Sequence, residues 1–282
     1  MKRLLLAVFC ISFFSGCSTL YIDRTYTAKS QDSRAQFLIL HYTAIDYPTS
    51  LRVLTQQAVS SHYLVSDGAN DVPGNEMPII YQLVDENRRA YHAGVSYWKG
   101  HTNLNASSIG IEIVNLGYRD TPEGRKFFDY PKKQMDLVVA LVKKIVKEHN
   151  IAPERILGHS DIAPQRKNDP GPRFLWKRLA DEGLIPWFDD ALVAEKRMGY
   201  EAQLPNVDWF QKKLDQFGYS VPLNGEYDKA TRAVITAFQL RFRQSNFDGL
   251  PDAETAAILD VMTSSSTILK QAAELGIIHL AK

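Results

Sequence analysis

The sequence predicts an α/β fold, in which a central mixed β-sheet flanked by helices is followed by a small all-α three-helix domain. Two patterns support the first domain: short apolar runs bounded by turn residues, typical of buried strands, and longer segments with helical apolar spacing. A third observation supports the second domain, because the chain after residue 206 contains only helix-like and turn-like segments. A chain of 282 residues has room for both.

The elements of the first domain, predicted over residues 35–190, follow from these patterns. The clearest helical stripe contains Met135, Val138, Val142 and Ile145, and the same spacing reaches His149. We therefore expect His149 to contribute to packing rather than to chemistry. The predicted strands lie near residues 37–41, 62–66, 79–84, 109–115 and 155–158, and the predicted helices near 50–59, 132–149 and 173–182.

The N-terminus predicts export followed by lipid anchoring. Residues 1–17 combine a positively charged start with an apolar run too short to span a bilayer, which is typical of a secretory signal peptide. The segment from Phe14 to Ser18 resembles a bacterial lipobox, although Phe14 stands where leucine is usual. Lipidation of Cys17 would supply the acyl chains that stable anchoring requires, and residues 18–34 would form a polar tether. The alternative is a soluble periplasmic protein with an unmodified cysteine.

Composition restricts the partners and the covalent chemistry. The formal net charge is only +1, so we expect no nucleic-acid partner. Cys10 would be removed with the signal peptide, which leaves Cys17 alone and predicts no internal disulfide. One short tether and no coiled-coil pattern favour a monomer.

The second domain, predicted over residues 207–282 after a linker at 191–206, begins with a helix at Val207–Phe217. It then repeats a turn followed by a helix. Asp228 and Asp252 each stand three residues before a threonine, at the position of a helix N-cap, and each follows a glycine-containing turn. This pattern also fits a generic helical cap that only covers the flank of the first domain.

The irregular loop from Gly158 to Gly171 concentrates reactive side chains. It contains His159 and Asp169, and histidine nitrogen and carboxylate oxygen are both good zinc ligands. A catalytic zinc normally takes three protein ligands. The best third candidate is His41, which ends an apolar strand-like run, because strand ends are rigid places to mount a ligand. The spacing is not a standard metal signature, so hydrogen-bonded structural histidines are the alternative.

A carboxylate also lies within an apolar strand. Alternation over residues 109–115 puts three isoleucines on one face and Glu112 on the other. Glu112 therefore needs either a cationic partner or a catalytic role. Lys167, two residues before Asp169, could direct its ammonium at a developing oxyanion, and the alternative is a solvated loop lysine.

The chain resembles the zinc-dependent N-acetylmuramoyl-L-alanine amidases, a family that includes phage amidases and peptidoglycan recognition proteins. The resemblance covers about residues 35–185, and it is greatest to the lipoprotein amidases of the Gram-negative outer membrane. The second domain resembles the small three-helix peptidoglycan-binding domain. Five motifs carry the first resemblance in the order seen in the family: His41-Tyr42-Thr43-Ala44, Ser60 to Val65, Ala90-Tyr91-His92-Ala93-Gly94, Ile109 to Ile113 and the Gly158–Gly171 loop.

The resemblance implies one Zn²⁺ per chain, bound by His41, His159 and Asp169, with Glu112 and Lys167 as the catalytic pair. Glu112 would act as general base and later as proton donor. Substrate contacts are expected at Tyr42, His92 and Ala93, whereas His62 is expected to be a buried, hydrogen-bonded histidine near the site.

The implied reaction is hydrolysis of the amide between N-acetylmuramic acid, or its 1,6-anhydro form, and the L-alanine of the stem peptide. The implied partners are peptidoglycan fragments and, through Cys17, the outer membrane on its periplasmic side. Two alternatives stay open: a non-catalytic peptidoglycan-binding lipoprotein and a zinc D-alanyl-D-alanine peptidase. We expect removal of the residues after about Asn206 to weaken binding to sacculi and to preserve hydrolysis of small muropeptides.

Overall fold

The computed structural model of the chain describes residues 20–68 and 77–264. The predicted signal peptide and the lipidation of Cys17 lie outside the described residues. The described residues divide between Asp32 and Ser33 into two units. In the first unit, the described residues 20–32 have no helix or strand and their side chains are exposed. Across the described parts of the chain, no helix is both long enough and apolar enough to cross a membrane.

A five-stranded mixed sheet lies at the centre of the second unit, as predicted. Its strands are β1 (Phe37–Tyr42), β2 (Tyr63–Val65), β3 (Ile80–Gln82), β6 (Ser108–Ile113) and β9 (Ile156–Gly158), in the order β3-β2-β6-β1-β9. Only β3 is antiparallel to its neighbour. Two hairpins not predicted from the sequence pair β4 (Tyr97–Trp98) with β5 (His101–Thr102), and β7 (Tyr118–Thr121) with β8 (Gly124–Phe127).

The helices near the sheet lie close to their predicted places. They are α1 (Tyr47–Gln56), α2 (Lys132–His149), the single turn α3 (His159–Ile162) and α4 (Trp176–Asp181). Helix α1 begins three residues before its predicted start, because the side chain of Asp46 caps it by accepting from the Thr49 amide. Helix α3 was not predicted, since a four-residue turn leaves no periodic pattern.

Helices also form most of the C-terminal part: α5 (Asp190–Ala202), α6 (Val207–Phe217), α7 (Lys229–Phe242) and α8 (Ala253–Thr263). The two predicted N-caps are confirmed. Asp228 accepts from the Thr231 amide at 2.7 Å, and Asp252 accepts from the Thr255 amide at 2.8 Å.

The segment 191–206, predicted as a linker, is mostly helix α5. Asp189 caps this helix through the amides of Ala191 and Leu192, and the helix packs against α8. The segment has only a weak apolar stripe, but it contains several residues that favour helix, among them three alanines, two leucines and two glutamates. Only residues 203–206 connect the end of α5 to α6.

Strand β1 contributes to two hydrophobic clusters because its successive side chains point to opposite faces of the sheet. Leu38 and Leu40 join the cluster that contains the apolar stripe of α2. Phe37 and Ile39 join a cluster that also contains Phe238 and the other buried aromatic residues of the C-terminal helices. Burial on both faces explains the continuous apolar run of β1. The C-terminal helices therefore share a core with the sheet.

His149 was expected to pack into the core, but its ring instead contacts two polar side chains. Its Nδ1 lies 2.6 Å from Ser33 Oγ and its Nε2 lies 2.7 Å from Glu86 Oε2. The helix turns this residue past the edge of the stripe, where both ring nitrogens find polar partners. In contrast, His62 is buried and hydrogen-bonded as expected: Nδ1 accepts from the Gly110 amide at 3.1 Å, and Nε2 lies 3.1 Å from the Arg88 carbonyl.

Candidate active site

Sheet topology brings three of the predicted site residues together. Strands β6, β1 and β9 are adjacent and parallel, so their carboxyl ends lie at one edge of the sheet. His41 and Glu112 are register partners near the ends of β1 and β6, and His159 immediately follows β9. Ligands of open α/β sheets bind at this edge.

Asp169 completes a group of three metal-ligating side chains. The Nδ1 atoms of His41 and His159 are 3.0 Å apart, and each lies 3.1 Å from Asp169 Oδ2. All three side chains are buried. Ligands at zinc distances in a tetrahedral arrangement would lie roughly 3.3 Å from one another. The group can therefore hold a metal ion, and its nitrogen and oxygen donors suit zinc.

The electrostatics give His41 and Asp169 the protonation states that a metal requires. Burial, together with the charge of His159, lowers the pKa of His41 to about 4, so His41 is neutral at physiological pH. Burial opposes ionisation of Asp169, but the charge of His159 and the hydrogen bonds from His159 and His41 outweigh it and lower the pKa of Asp169. Neutral imidazole and ionised carboxylate are the metal-binding forms.

Hydrogen bonds on the far sides of the histidines orient both Nδ1 atoms toward the site. His41 Nε2 lies 3.0 Å from Nδ1 of His92, whose Nε2 lies 3.2 Å from Ser108 Oγ. Ser108 Oγ in turn donates to the Leu104 carbonyl at 2.6 Å. His159 Nε2 lies 3.2 Å from the Ala93 carbonyl. Such partners fix the tautomer of a ligating histidine and raise its basicity.

Glu112 and Lys167 lie beside this group. Both contribute to the wall of an open cavity of about 710 Å³, as do Tyr42, Tyr91, His92 and Asn168. Burial, followed by the negative charge of Asp169, raises the pKa of Glu112 well above its ordinary value, and the Lys167 ammonium opposes this rise. Glu112 Oε2 is buried and makes no hydrogen bond within the described residues. A carboxyl group in this setting suits proton transfer.

The three residues predicted to contact substrate have different positions. Tyr42 and His92 line the cavity. Ala93 does not: it is fully buried, its amide donates to Asn105 Oδ1, and its carbonyl faces His159. The Ala93 carbonyl is therefore placed to orient the candidate metal ligand His159, and the expected substrate contact at Ala93 stays a prediction.

Several residues of the site were missed in the sequence. Arg166 donates to the carbonyls of Ala93 and Val95, which ties the Gly158–Gly171 loop to the segment after His92. Asn168 accepts from the Tyr42 hydroxyl at 2.7 Å. Burial raises the pKa of Tyr42, which keeps that hydroxyl a donor. Arg166 and Asn168 belong to the reactive loop, and this proximity was the available signal.

A second group of potential metal ligands, Glu86, Glu148 and His149, has a different role. Lys144 Nζ lies 2.8 Å from Glu148 and 3.6 Å from Glu86. Glu86 also accepts from the Tyr63 hydroxyl and pairs with His149. The ammonium of Lys144 already supplies the positive charge at this place, so the group is an ion-pair network.

Comparisons with known proteins agree with the geometry. A family model described as N-acetylmuramoyl-L-alanine amidase matches residues 31–172, and one described as putative peptidoglycan binding domain matches residues 203–259. N-acetylmuramoyl-L-alanine amidase AmiD of Escherichia coli (strain K12) is 39% identical over 242 residues, which cover 86% of this chain and 87% of that protein.

Two solved structures are similar over nearly their whole length. AmpDH3 from Pseudomonas aeruginosa in complex with anhydromuramic pentapeptide has a TM-score of 0.79 and 40% identity, covering 86% of this chain and 97% of that chain. AmiD from E. coli in complex with anhydro-N-acetylmuramic acid-L-Ala-D-gamma-Glu-L-Lys has a TM-score of 0.76 and 38% identity, covering 86% of this chain and 93% of that chain. The chain therefore belongs to the N-acetylmuramoyl-L-alanine amidase family and carries a peptidoglycan-binding domain after its catalytic domain.

Proposed function

We propose that this amidase uses one zinc ion, bound by His41, His159 and Asp169, to hydrolyse the amide between N-acetylmuramic acid and the L-alanine of the stem peptide. The observation that carries the proposal is the convergence of two Nδ1 atoms and one carboxylate oxygen, 3.0 to 3.1 Å apart, beside Glu112. The 1,6-anhydro sugar is included among the substrates, because the ligands named for AmpDH3 and AmiD both contain it.

Zinc, Glu112 and Lys167 would have different roles in hydrolysis. Zinc, when bound, polarises the scissile carbonyl and acidifies water. Glu112 accepts a proton at Oε2 from the attacking water and returns it to the leaving amine, and its raised pKa favours the return. Lys167 places a positive charge in the cavity wall, where it stabilises negative charge developing on the carbonyl oxygen.

The first experiment is mass spectrometry of purified muropeptides after incubation with the chain lacking residues 1–17, with and without a zinc chelator. We expect chelator-sensitive release of a stem peptide that begins at L-alanine. Intact muropeptides in the presence of bound zinc would contradict catalysis and support the binding-lipoprotein alternative. Loss of terminal D-alanine alone would support the peptidase alternative.

Glu112→Gln tests the role of the base. The substitution keeps size and shape but removes proton affinity, so we expect retained zinc and a loss of kcat of about 10² to 10⁴-fold. The matched control is Glu195→Gln, which alters an exposed carboxylate on α5 and should leave kcat unchanged. A Glu112→Gln enzyme with near-normal kcat would exclude Glu112 as the base.

The location of the enzyme is part of the proposal. The lipobox-like sequence supports a lipid anchor on Cys17 at the periplasmic face of the outer membrane, and the C-terminal domain would hold the enzyme on peptidoglycan as a monomer. Membrane fractionation of cells expressing the full chain tests the anchor. Wild type should sediment with outer membranes and incorporate a labelled fatty acid, whereas Cys17→Ala should do neither. Equal behaviour of the two would exclude the anchor.

A further inference from the structure

The helical turn that carries His159 depends on distant parts of the chain. Helix α3 contains only four residues, His159–Ile162, and all four are buried. A single helical turn is not stable by itself, because its nucleation costs more conformational entropy than its hydrogen bonds recover. The position of the His159 ring therefore depends on the groups that hold this turn in place, in addition to its hydrogen bond with the Ala93 carbonyl.

Asp161 is the point at which the turn is held. Its Oδ2 accepts from the Gly158 amide at 2.8 Å and from Arg241 Nη1 at 2.8 Å. Its Oδ1 accepts from the Tyr219 hydroxyl at 2.6 Å. Arg241 lies on α7 and Tyr219 follows α6, so two of these three hydrogen bonds come from the C-terminal domain.

The arrangement is fully enclosed. The side chains of Arg241 and Asp161 are 3% and 0% exposed, respectively. The Arg241 guanidinium carbon lies 4.5 Å from the ring centroid of Trp176, which closes one side. Removing one partner of a buried ion pair leaves an uncompensated charge, so the surrounding backbone must move or admit water. Arg241 and Tyr219 are absent from the wall of the catalytic cavity.

We propose that Arg241 and Tyr219 are positioning residues of the metal site. Through Asp161 they fix helix α3, and through α3 they fix the Nδ1 atom of His159. The C-terminal domain, besides any hold on peptidoglycan, would then set the metal affinity of the catalytic domain. This inference rests on the proposed function only in that the three-residue group binds zinc.

The test measures the zinc Kd of the full chain lacking residues 1–17 by competition with a chromophoric chelator. We expect Arg241→Met to raise Kd about tenfold, the lower end of the loss seen when a direct hydrogen-bond partner of a metal ligand is removed, because Arg241 acts on His159 through Asp161 and α3. Tyr219→Phe, which removes one hydroxyl, should raise Kd by about two- to fivefold. Arg241→Lys keeps the positive charge and should bind zinc more tightly than Arg241→Met. At saturating zinc KM should stay unchanged and kcat should fall, since neither residue reaches the cavity.

Arg243→Met is the matched control. Arg243 is also buried, ends the same helix and pairs with Asp252 at 2.6 Å, within the helical domain. The Arg243→Met substitution should lower Tm and leave the zinc Kd within about twofold of wild type. The inference is overturned if Arg241→Met and Tyr219→Phe both bind zinc as wild type does, or if Arg243→Met weakens zinc as much as they do. If Arg241→Met does not fold, the zinc Kd of Tyr219→Phe alone decides whether the inference holds. Wild type that binds zinc without hydrolysing muropeptides would contradict the proposed reaction and leave this inference standing.

Discussion

At the scale of the residue, His41 shows how neighbours decide what a side chain can do. Its place at the end of a buried strand made it a candidate ligand. Its two ring nitrogens have different partners, since Nδ1 faces His159 and Asp169 whereas Nε2 faces His92. No local pattern could predict which ring nitrogen faces the candidate metal site, because the choice depends on a histidine 51 residues away in the chain.

Gly110 is a residue whose missing side chain makes the site possible. A Cβ atom at this position would lie 2.6 Å from Cγ of His92, closer than such atoms approach. We predict that Gly110→Ala displaces the His92 ring and breaks its hydrogen bond to His41. The variant should have a lower Tm and a zinc affinity reduced about tenfold or more, measured by chelator competition.

Gly199→Ala is the control for that substitution. Gly199 lies within α5, and apart from its chain neighbours and the backbone of its own helix no atom lies within 4 Å of the Cβ that alanine would add. The same chemical change should therefore raise the free energy of unfolding by about 0.5 to 1 kcal/mol and leave zinc binding unaltered. Wild-type zinc affinity in Gly110→Ala would show that the packing of His92 on Gly110 does not matter for the site.

At the scale of the element, one carboxylate links α5 to two other helices. Asp260 on α8 lies 2.7 Å from Lys196 of α5 and 2.8 Å from Lys213 of α6. Burial opposes its ionisation, but the hydrogen bonds from these lysines prevail and lower the pKa of Asp260 to about 2. The segment that resembled a linker in the sequence is therefore bound to two other helices.

Asp260→Asn tests this connection through the dependence of stability on pH. Because folding lowers the pKa of Asp260 from about 3.9 to about 2, its contribution is present above the higher value and is lost as the pH falls through the lower one. Since the carboxylate is partly exposed, we expect a deficit of about 1 kcal/mol at pH 7 in the variant. Urea unfolding at pH 7 and pH 2.5 should show the deficit shrinking with acidity. A deficit independent of pH would exclude the ionised pair as its source.

The C-terminal elements show how local chemistry predicts a boundary. Asp228 and Asp252 cap α7 and α8, and both caps were predicted because an N-cap needs only a short side chain and the amide three residues later. The glutamines behind each turn were not predicted. Gln211 accepts from the Gly225 amide and Gln239 from the Gly249 amide, each at 2.8 Å. These bonds join different elements, so sequence spacing carries no mark of them.

At the scale of the whole molecule, the amidase region and the C-terminal helical region share one hydrophobic core. Phe37 and Ile39 of the central sheet belong to the same buried cluster as Phe210, Tyr219 and Phe238 of the C-terminal helices. This shared core argues against our expectation from the sequence that removal of the second domain would preserve hydrolysis of small muropeptides.

We predict that a chain ending at Asn206 loses both solubility and hydrolysis of small muropeptides. The truncated chain lacks α6, α7 and α8. Its shared cluster would be exposed, and Asp161 would lose its hydrogen bonds with Arg241 and Tyr219. Burial of large apolar side chains contributes about 1.5 to 3 kcal/mol each, so the loss exceeds the stability of an ordinary domain. Circular dichroism and the muropeptide assay check this. A soluble, cooperatively folded fragment with full activity would show that the helical domain is only an attachment module.

The sequence by itself determined the candidate ligands, the candidate catalytic carboxylate, the five strands of the central sheet and the caps of α7 and α8. Each depends on residue type and short spacing, which chemistry restricts strongly. The tertiary structure decided that Ala93 orients His159, that the supposed linker is a helix, and that Asp161 is held by Arg241. These contacts join residues up to 80 positions apart. They follow from how the two halves pack, and packing depends on the shape of the whole core rather than on any local pattern.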